Sequence, residues 1–201
     1  MSEFASRPVD TSDGVPPSTA RRVLDVAGAV AGLLLLSVPL LGIYLLVRLS
    51  SPGPGVFRQT RVGQGGRPFT MYKFRTMRQG VGGLTVTANC DPRLTRTGKI
   101  LRRWSLDELP QLVNVLRGEM SLVGPRPLPQ RDYEMLEDWH RKRYLVLPGI
   151  TGLWQVSGRS ELDFDDLVHL DFIYLERWSL ALDLTILLKT VPAVLTRRGA
   201  Y

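Results

Sequence analysis

Few of the residues from which catalytic sites are commonly built occur in this chain. Among 201 residues there is one cysteine, Cys90, and there are two histidines, His140 and His169. A single thiol excludes an internal disulfide and a cysteine-based zinc site, and it points to a reducing compartment. The phosphate-loop pattern GxxxxGK[ST], the nucleophile elbow GxSxG and the zinc-protease pattern HExxH are all absent. Gly63-Gln-Gly-Gly has neither the spacing nor the strand–helix setting of a dinucleotide loop. With 44 % apolar residues, the composition also excludes a collagen, a disulfide-built miniprotein and an intrinsically disordered chain.

Acidic residues are scarce in one stretch. Residues 51–105 hold eleven Lys/Arg and a single acid, Asp91, whereas residues 1–50 balance at four of each and residues 106–201 hold eleven basic and fourteen acidic. The formal charge of +7 is therefore an average over a middle segment at +10. Such a block suggests nucleic acid or an anionic membrane, with a solvated basic surface as the plainer alternative.

Residues 1–20, rich in Ser, Thr, Pro and Asp, predict a disordered tail. Residues 26–47 then run without a charge, which as a helix spans about 33 Å, one hydrocarbon thickness. Pro39, two residues after Ser37, removes a helical hydrogen bond and forces a bend. Arg21 and Arg22 precede the run and Arg48, Arg58 and Arg61 follow it. A single span cannot keep both basic flanks on one side of a bilayer. The reading is a re-entrant membrane helix over 21–50 that turns back near Ser37 and Pro39, with a spanning signal anchor as the alternative.

Residues 51–201 predict a domain that is α+β and mainly helical. VFRQTRV and RPFTMYKFRTM, on either side of Gly63–Gly66, read as a β-hairpin. Residues 80–89 read as a Gly/Thr loop, and 94–104 as a short basic helix. After Ser105, the spacing of Leu109, Leu112, Val113 and Leu116 predicts a helix ended by Gly118. Pro110 belongs in its first turn, so Asp107 and Glu108 fall at its N-terminus. Residues 123–129 read as irregular, 132–144 as one charged helix carrying a surface His140, and 148–159 as a Gly-rich loop. Ser160 is the expected cap of a helix reaching about Arg177, on which His169 also reads as a surface residue. Residues 180–195 suit an amphipathic helix in a membrane interface, and a core helix equally.

The chemistry concentrates in Arg102-Arg103-Trp-Ser-Leu-Asp107-Glu108-Leu-Pro-Gln111. Ser105 with Glu108 three residues on has the spacing of a capping box, which would make Glu108 structural. The functional reading is a carboxylate at a helix N-terminus facing a basic block, a setting that binds phosphates. An aspartate there serves as a metal ligand or as a nucleophile forming an acyl-phosphate. Adjacent carboxylates diverge from one another, so a glycosidase pair is a poor fit.

Arg21-Arg22-x-x-Asp25 before a Pro-broken apolar run, SSPGP-VFRQ-RVG-G-PF-YKFRTM, SLDELPQL-NVL-GEMSLVGPRP and PGITGLWQVSGR occur here in that order. Together, from about Arg21 to Arg198, they resemble the bacterial sugar transferases, the small monotopic phosphoglycosyl transferases. The resemblance implies transfer of a sugar-1-phosphate from a UDP-sugar to a polyprenyl (undecaprenyl) phosphate with release of UMP, the first membrane step of polysaccharide assembly. It implies Asp107 as the nucleophile that forms a phosphosugar–aspartate intermediate, Glu108 as its dyad partner, and Mg2+ held with the help of Asp107. Arg102 matches a family arginine near the phosphate, and Lys73, Arg75, Arg126 and Arg159 are candidate ligands of substrate phosphate. The implied architecture is the re-entrant helix at 21–50 and a catalytic domain at 51–201, its interfacial helices surrounding a cytosolic site at the bacterial inner membrane. Expected partners are the UDP-sugar, the polyprenyl phosphate, anionic lipids, and a second copy or downstream glycosyltransferases, without nucleic acid. The family commonly has Ser and Pro adjacent at the bend, whereas Val38 separates Ser37 from Pro39 here. A membrane-anchored nucleic-acid binder and a scaffold within a glycan-assembly complex are the rival readings.

Overall fold

The computed structural model describes residues 17–78, 91–157 and 163–196. Most of the expected tail, the Gly/Thr loop at 80–89, Cys90, Arg159, Ser160, Arg197 and Arg198 lie outside them.

The first helix, α1 (Thr19–Leu35), begins inside the expected tail, because the Ser18 hydroxyl caps it by accepting from Arg21 N at 3.3 Å. Helix α2 (Ser37–Ser50) follows at 66° to α1. The break falls at Leu36, three residues before Pro39. Proline lacks the N–H that would bond the carbonyl four residues back, and its ring crowds that turn, so the preceding turn opens. Ser37 Oγ donates to the Leu34 carbonyl at 2.9 Å and takes up one acceptor at the break. Among the described residues no single helix is long and apolar enough to cross a membrane.

The hairpin forms as read from the sequence. Strand β1 (Val56–Val62) pairs antiparallel with β2 (Pro68–Phe74), with Val56 opposite Phe74 and Val62 opposite Pro68, around a 3-10 turn at Gln64–Gly66. The other edge of β2 is closed by one side chain. Asn114 Oδ1 accepts from Tyr72 N at 3.1 Å and Asn114 Nδ2 donates to the Thr70 carbonyl at 2.7 Å, so the buried amide replaces a missing strand neighbour.

Helix α3 (Arg96–Arg103) leads through a 3-10 segment (Leu106–Gln111) into α4 (Leu112–Arg117), which Gly118 ends at φ 78°. The helix expected from Ser105 thus starts as a tighter 3-10 turn containing Pro110. Ala29, Met71, Leu112, Val115 and Met120 form a core joining α1, β2 and α4.

Strand β3 (Ser121–Val123) runs parallel to β4 (Gly149–Thr151), so the expected Gly-rich loop contains a strand and then the helical turn α7 (Leu153–Val156). The charged helix expected at 132–144 is broken into α5 (Gln130–Glu134), α6 (Asp138–Arg141) and a 3-10 turn (Lys142–Leu145). Burying both Leu136 and Tyr144 against Val62 folds this stretch back on itself, which a straight helix cannot do. Helix α8 (Phe164–Glu176) is capped by Asp163, whose carboxylate accepts from Asp166 N at 2.8 Å. His140 is buried, contrary to its surface reading: its ring stacks on Trp139 at 3.9 Å, and Nε2 lies 3.1 Å from Asp165 Oδ1. Helix α9 (Leu180–Leu195) buries Asp183 and Ile186 and exposes Leu184, Leu188, Val191 and Leu195. One face is core and the other is uncovered.

A buried polar network fixes the N-terminal helix to this body. Arg21 donates to the Val123 carbonyl at 2.6 Å and to the Tyr174 hydroxyl at 3.0 Å; that hydroxyl donates to Asp183 Oδ1 at 2.7 Å. Asp25 accepts from Ser121 Oγ at 2.9 Å and Leu122 N at 2.8 Å. Arg22 caps α4 through the Val115 and Leu116 carbonyls at 2.7 and 2.9 Å. The Arg-Arg-x-x-Asp pattern is therefore an anchor between α1, α4, β3 and α9.

Candidate active site

Ser105 adopts left-handed backbone angles (φ 53°) at the turn between α3 and the 3-10 segment, and its side chain makes no cap bond. The capping box is not formed. Glu108 instead points its carboxylate at two cations from distant parts of the chain. Lys73 Nζ of β2 lies 2.7 Å from Glu108 Oε1. Arg126 Nη2 lies 2.6 Å from the same oxygen, and its Nη1 3.4 Å from Oε2.

Asp107, its neighbour in sequence, is the more buried of the two but takes no hydrogen bond or ion pair from the described residues. Burial and then the neighbouring Glu108 charge push its carboxyl above the usual range, opposed by Lys73, Arg102 and Arg126. Glu108 goes the other way. Burial works against its charge, but Arg126 and Lys73 overcome it and hold the carboxyl well below the usual range. Burial lowers the Lys73 ammonium against the pull of Glu108, whereas the Glu108 charge raises Arg126. Two adjacent carboxylates are thus driven apart, one saturated by cations and one left free, a divergence characteristic of functional pairs.

Arg102 approaches from α3. Its Nε donates to Thr76 Oγ1 at 3.0 Å; burial lowers its basicity, and Asp107 is the first of the charges that support it. The structure therefore gathers Asp107, Glu108, Lys73, Arg126 and Arg102.

Arg75 is not among them. Its guanidinium donates to the Ser51, Pro52 and Val47 carbonyls at 2.6, 2.8 and 3.2 Å, closing the C-terminal end of α2. Strand β2 ends at Phe74, so the alternation that would have put Arg75 beside Lys73 stops one residue short. Two residues around the site carry no sequence signal of their own. Asn114 fixes the strand that bears Lys73, and Arg61 donates to the Pro127 carbonyl at 3.0 Å. Both lie inside the quoted motifs, but their partners are far away in sequence.

Among the described residues no group of three or more His, Cys, Asp or Glu could hold a metal ion. The donor set is one free carboxylate, Asp107, because the Glu108 oxygens face cations. Mg2+ is commonly held by one or two carboxylates together with substrate phosphates and water. The residues fit that ion in company with a bound diphosphate. A free, desolvated carboxylate ringed by cations suits attack on, or coordination beside, a phosphoryl group.

Residues 17–197 match the sequence model of the family described as bacterial sugar transferase. The chain is 46 % identical over 191 residues to a UDP-glucose:undecaprenyl-phosphate glucose-1-phosphate transferase of Caulobacter vibrioides, covering 90 % of this chain and 72 % of that protein. It is 40 % identical over 199 residues to the exopolysaccharide production protein ExoY of Rhizobium meliloti, covering 90 % and 88 % respectively. To the galactosyl transferase CpsE of Streptococcus agalactiae it is 43 % identical over 196 residues, matching 90 % of this chain and 43 % of that longer protein. By these matches, the chain that carries this dyad belongs to the bacterial sugar transferase family.

Proposed function

We propose that this protein transfers a sugar-1-phosphate from a UDP-sugar to a polyprenyl phosphate such as undecaprenyl phosphate, releasing UMP, at the cytoplasmic face of a bacterial inner membrane. The observation that carries this reading is the contrast within the dyad: among the described residues Asp107 is buried with no hydrogen-bond or ion-pair partner, while Glu108 is locked between Lys73 and Arg126.

The donor diphosphate binds among Arg102, Lys73 and Arg126, whose charges lower the cost of bringing a carboxylate to an anion. The Asp107 carboxylate attacks the sugar-bearing phosphorus. The bond from that phosphorus to the oxygen of UMP breaks, UMP leaves with the electron pair, and a phosphosugar–Asp107 ester remains. An oxygen of the polyprenyl phosphate then attacks the same phosphorus and frees Asp107. Arg126 and Lys73 favour the ionised form of Glu108, and its part is to hold those two cations in place. Asp107, together with the diphosphate, would hold a Mg2+ ion, which when bound would supply charge neutralisation on the phosphates.

The uncovered apolar surface supports a membrane setting. Leu35, Val38 and Leu49 are 81 %, 78 % and 86 % exposed on the bent α1–α2 pair, and α9 adds Leu188 at 75 %. Monomeric soluble proteins rarely leave such a surface uncovered, and a helix pair dipping into one leaflet covers it. Asp107→Asn tests the chemistry directly. It abolishes UMP release from the UDP-sugar even without lipid acceptor; near-normal release would overturn the nucleophile assignment.

A further inference from the structure

The segment that carries Arg126 is held by backbone bonds at its two ends. Gly124 N donates to the Thr151 carbonyl at 2.8 Å, and the Pro125 and Leu128 carbonyls accept from Gly149 N and Val62 N at 2.9 and 3.0 Å. Among the described residues, backbone amides do not reach the two carbonyls between them, those of Arg126 and Pro127. In Gly124-Pro-Arg-Pro-Leu-Pro129 every second residue is proline, so three backbone donors are missing. Arginine side chains from elsewhere bind these two central carbonyls. Arg143 Nη2 donates to the Arg126 carbonyl at 3.1 Å, and Arg61 Nη1 to the Pro127 carbonyl at 3.0 Å. Each donor is itself fixed. Arg143 forms a 2.6 Å ion pair with Asp171 of α8, the two side chains being 3 % and 2 % exposed. Arg61 is held by Gln59 Oε1, at 3.1 Å from Nε and 2.8 Å from Nη2.

A buried ion pair is a poor source of stability, since apolar residues of like volume commonly serve as well or better. Arg61 is also placed close to a like charge: after burial, Arg126 is the next cause lowering the Arg61 guanidinium to about 10. Bringing Arg61 and Arg143 to this place costs energy that packing alone does not require. The bonds they make there are to the two carbonyls at and after Arg126.

We propose that Arg143, held by Asp171, and Arg61 are positioning residues for Arg126, clamping the backbone at 126–127 so that the Arg126 guanidinium meets Glu108 and the donor diphosphate. This rests on the proposed function for what Arg126 does, and on geometry alone for how Arg126 is placed.

The test uses the full chain in lipid nanodiscs. Arg143→Met with Asp171→Leu removes both charges at once and leaves neither buried alone. The expected result is a thermal midpoint kept within a few degrees and a fall in kcat/KM for UMP release of between about 10- and 100-fold, the scale of a misplaced catalytic group. In an Arg126→Ala background the same replacement has no further effect, because the residue it positions is gone. Amide exchange at Arg126 and Leu128 speeds up in the variant, a readout that needs no turnover. Activity within twofold of wild type, a loss that repeats undiminished in the Arg126→Ala background, or unchanged exchange at 126 and 128 would each overturn the proposal. Should that variant not fold, Arg61→Met, which frees the Pro127 carbonyl, is read by the same three criteria. Absence of UMP release from wild-type protein with any UDP-sugar overturns the function instead, and the exchange experiment then decides the positioning alone.

Discussion

Replacing Glu108 by glutamine separates its two possible duties. A capping box accepts Gln as readily as Glu, so a purely local role survives the change. A charge clamp does not. The wild-type carboxylate takes Lys73 and Arg126 on one oxygen at 2.7 and 2.6 Å, and a second arginine nitrogen at 3.4 Å on the other. Glutamine offers one neutral acceptor and turns an N–H group toward a cation. At an effective dielectric of about 20, a unit pair at these distances is worth about 6 kcal/mol before desolvation, and removing one partner of a buried pair costs about 3–5 kcal/mol net. Arg126 is 32 % exposed and partly screened, so the low end applies, about 3 kcal/mol. Where that interaction holds Lys73 and Arg126 for the transition state, the loss is about 100-fold in kcat/KM. UMP release from a UDP-sugar in nanodiscs, with a parallel melting curve, measures both effects. Glu108 is also the charge that, after burial, raises Asp107, so in the variant the acid limb of the pH–rate profile moves to lower pH. Activity within threefold of wild type, with an unmoved acid limb, would refute the clamp.

Gly98 of α3 stands against the chain just after β2: a Cβ there would collide with the Thr76 carbonyl oxygen, which is backbone and cannot swing aside. Gly98→Ala therefore pushes α3, and with it Arg102 and the turn before Asp107, away from Thr76; it should lower stability by about 1–3 kcal/mol and UMP release by more than tenfold. Unchanged kinetics would show that α3 does not set the site. Burial raises the Asp171 carboxyl from its ordinary 3.8 to about 6, against the pull of Arg143. The folded protein thus binds this proton more tightly than the unfolded chain, a contribution present below about pH 4 and lost as pH rises to about 6, amounting to about 3 kcal/mol. Denaturant midpoints across that interval should decline more steeply in wild type than in Asp171→Asn, and equal slopes would refute it.

Local signals carried well. The alternating, β-branched composition of 56–74 specified the hairpin, and the apolar stretch 180–195 specified α9. Pro39 made a break unavoidable, although it fell at Leu36 because proline disrupts the turn before itself. Signals that depend on a single interpretation of a long stretch failed. The charged segment 132–144 broke where Leu136 and Tyr144 needed burial, and His140 went inside against Trp139.

At the site, the sequence by itself determined the adjacency of Asp107 and Glu108 at the start of a helical segment, the basic block before them, and the family to which both belong. Tertiary structure alone decided which carboxylate is free. The partners of Glu108 lie 35 and 18 residues away, on a strand aligned by Asn114 and on a proline-rich segment held by Arg61 and Arg143. Tertiary structure likewise turned Arg75 to the end of α2 while Lys73, two residues earlier, reached the site. Periodicity and capping act over a few residues, whereas the charge state of a buried carboxylate depends on which cations the fold brings within about 3 Å of it.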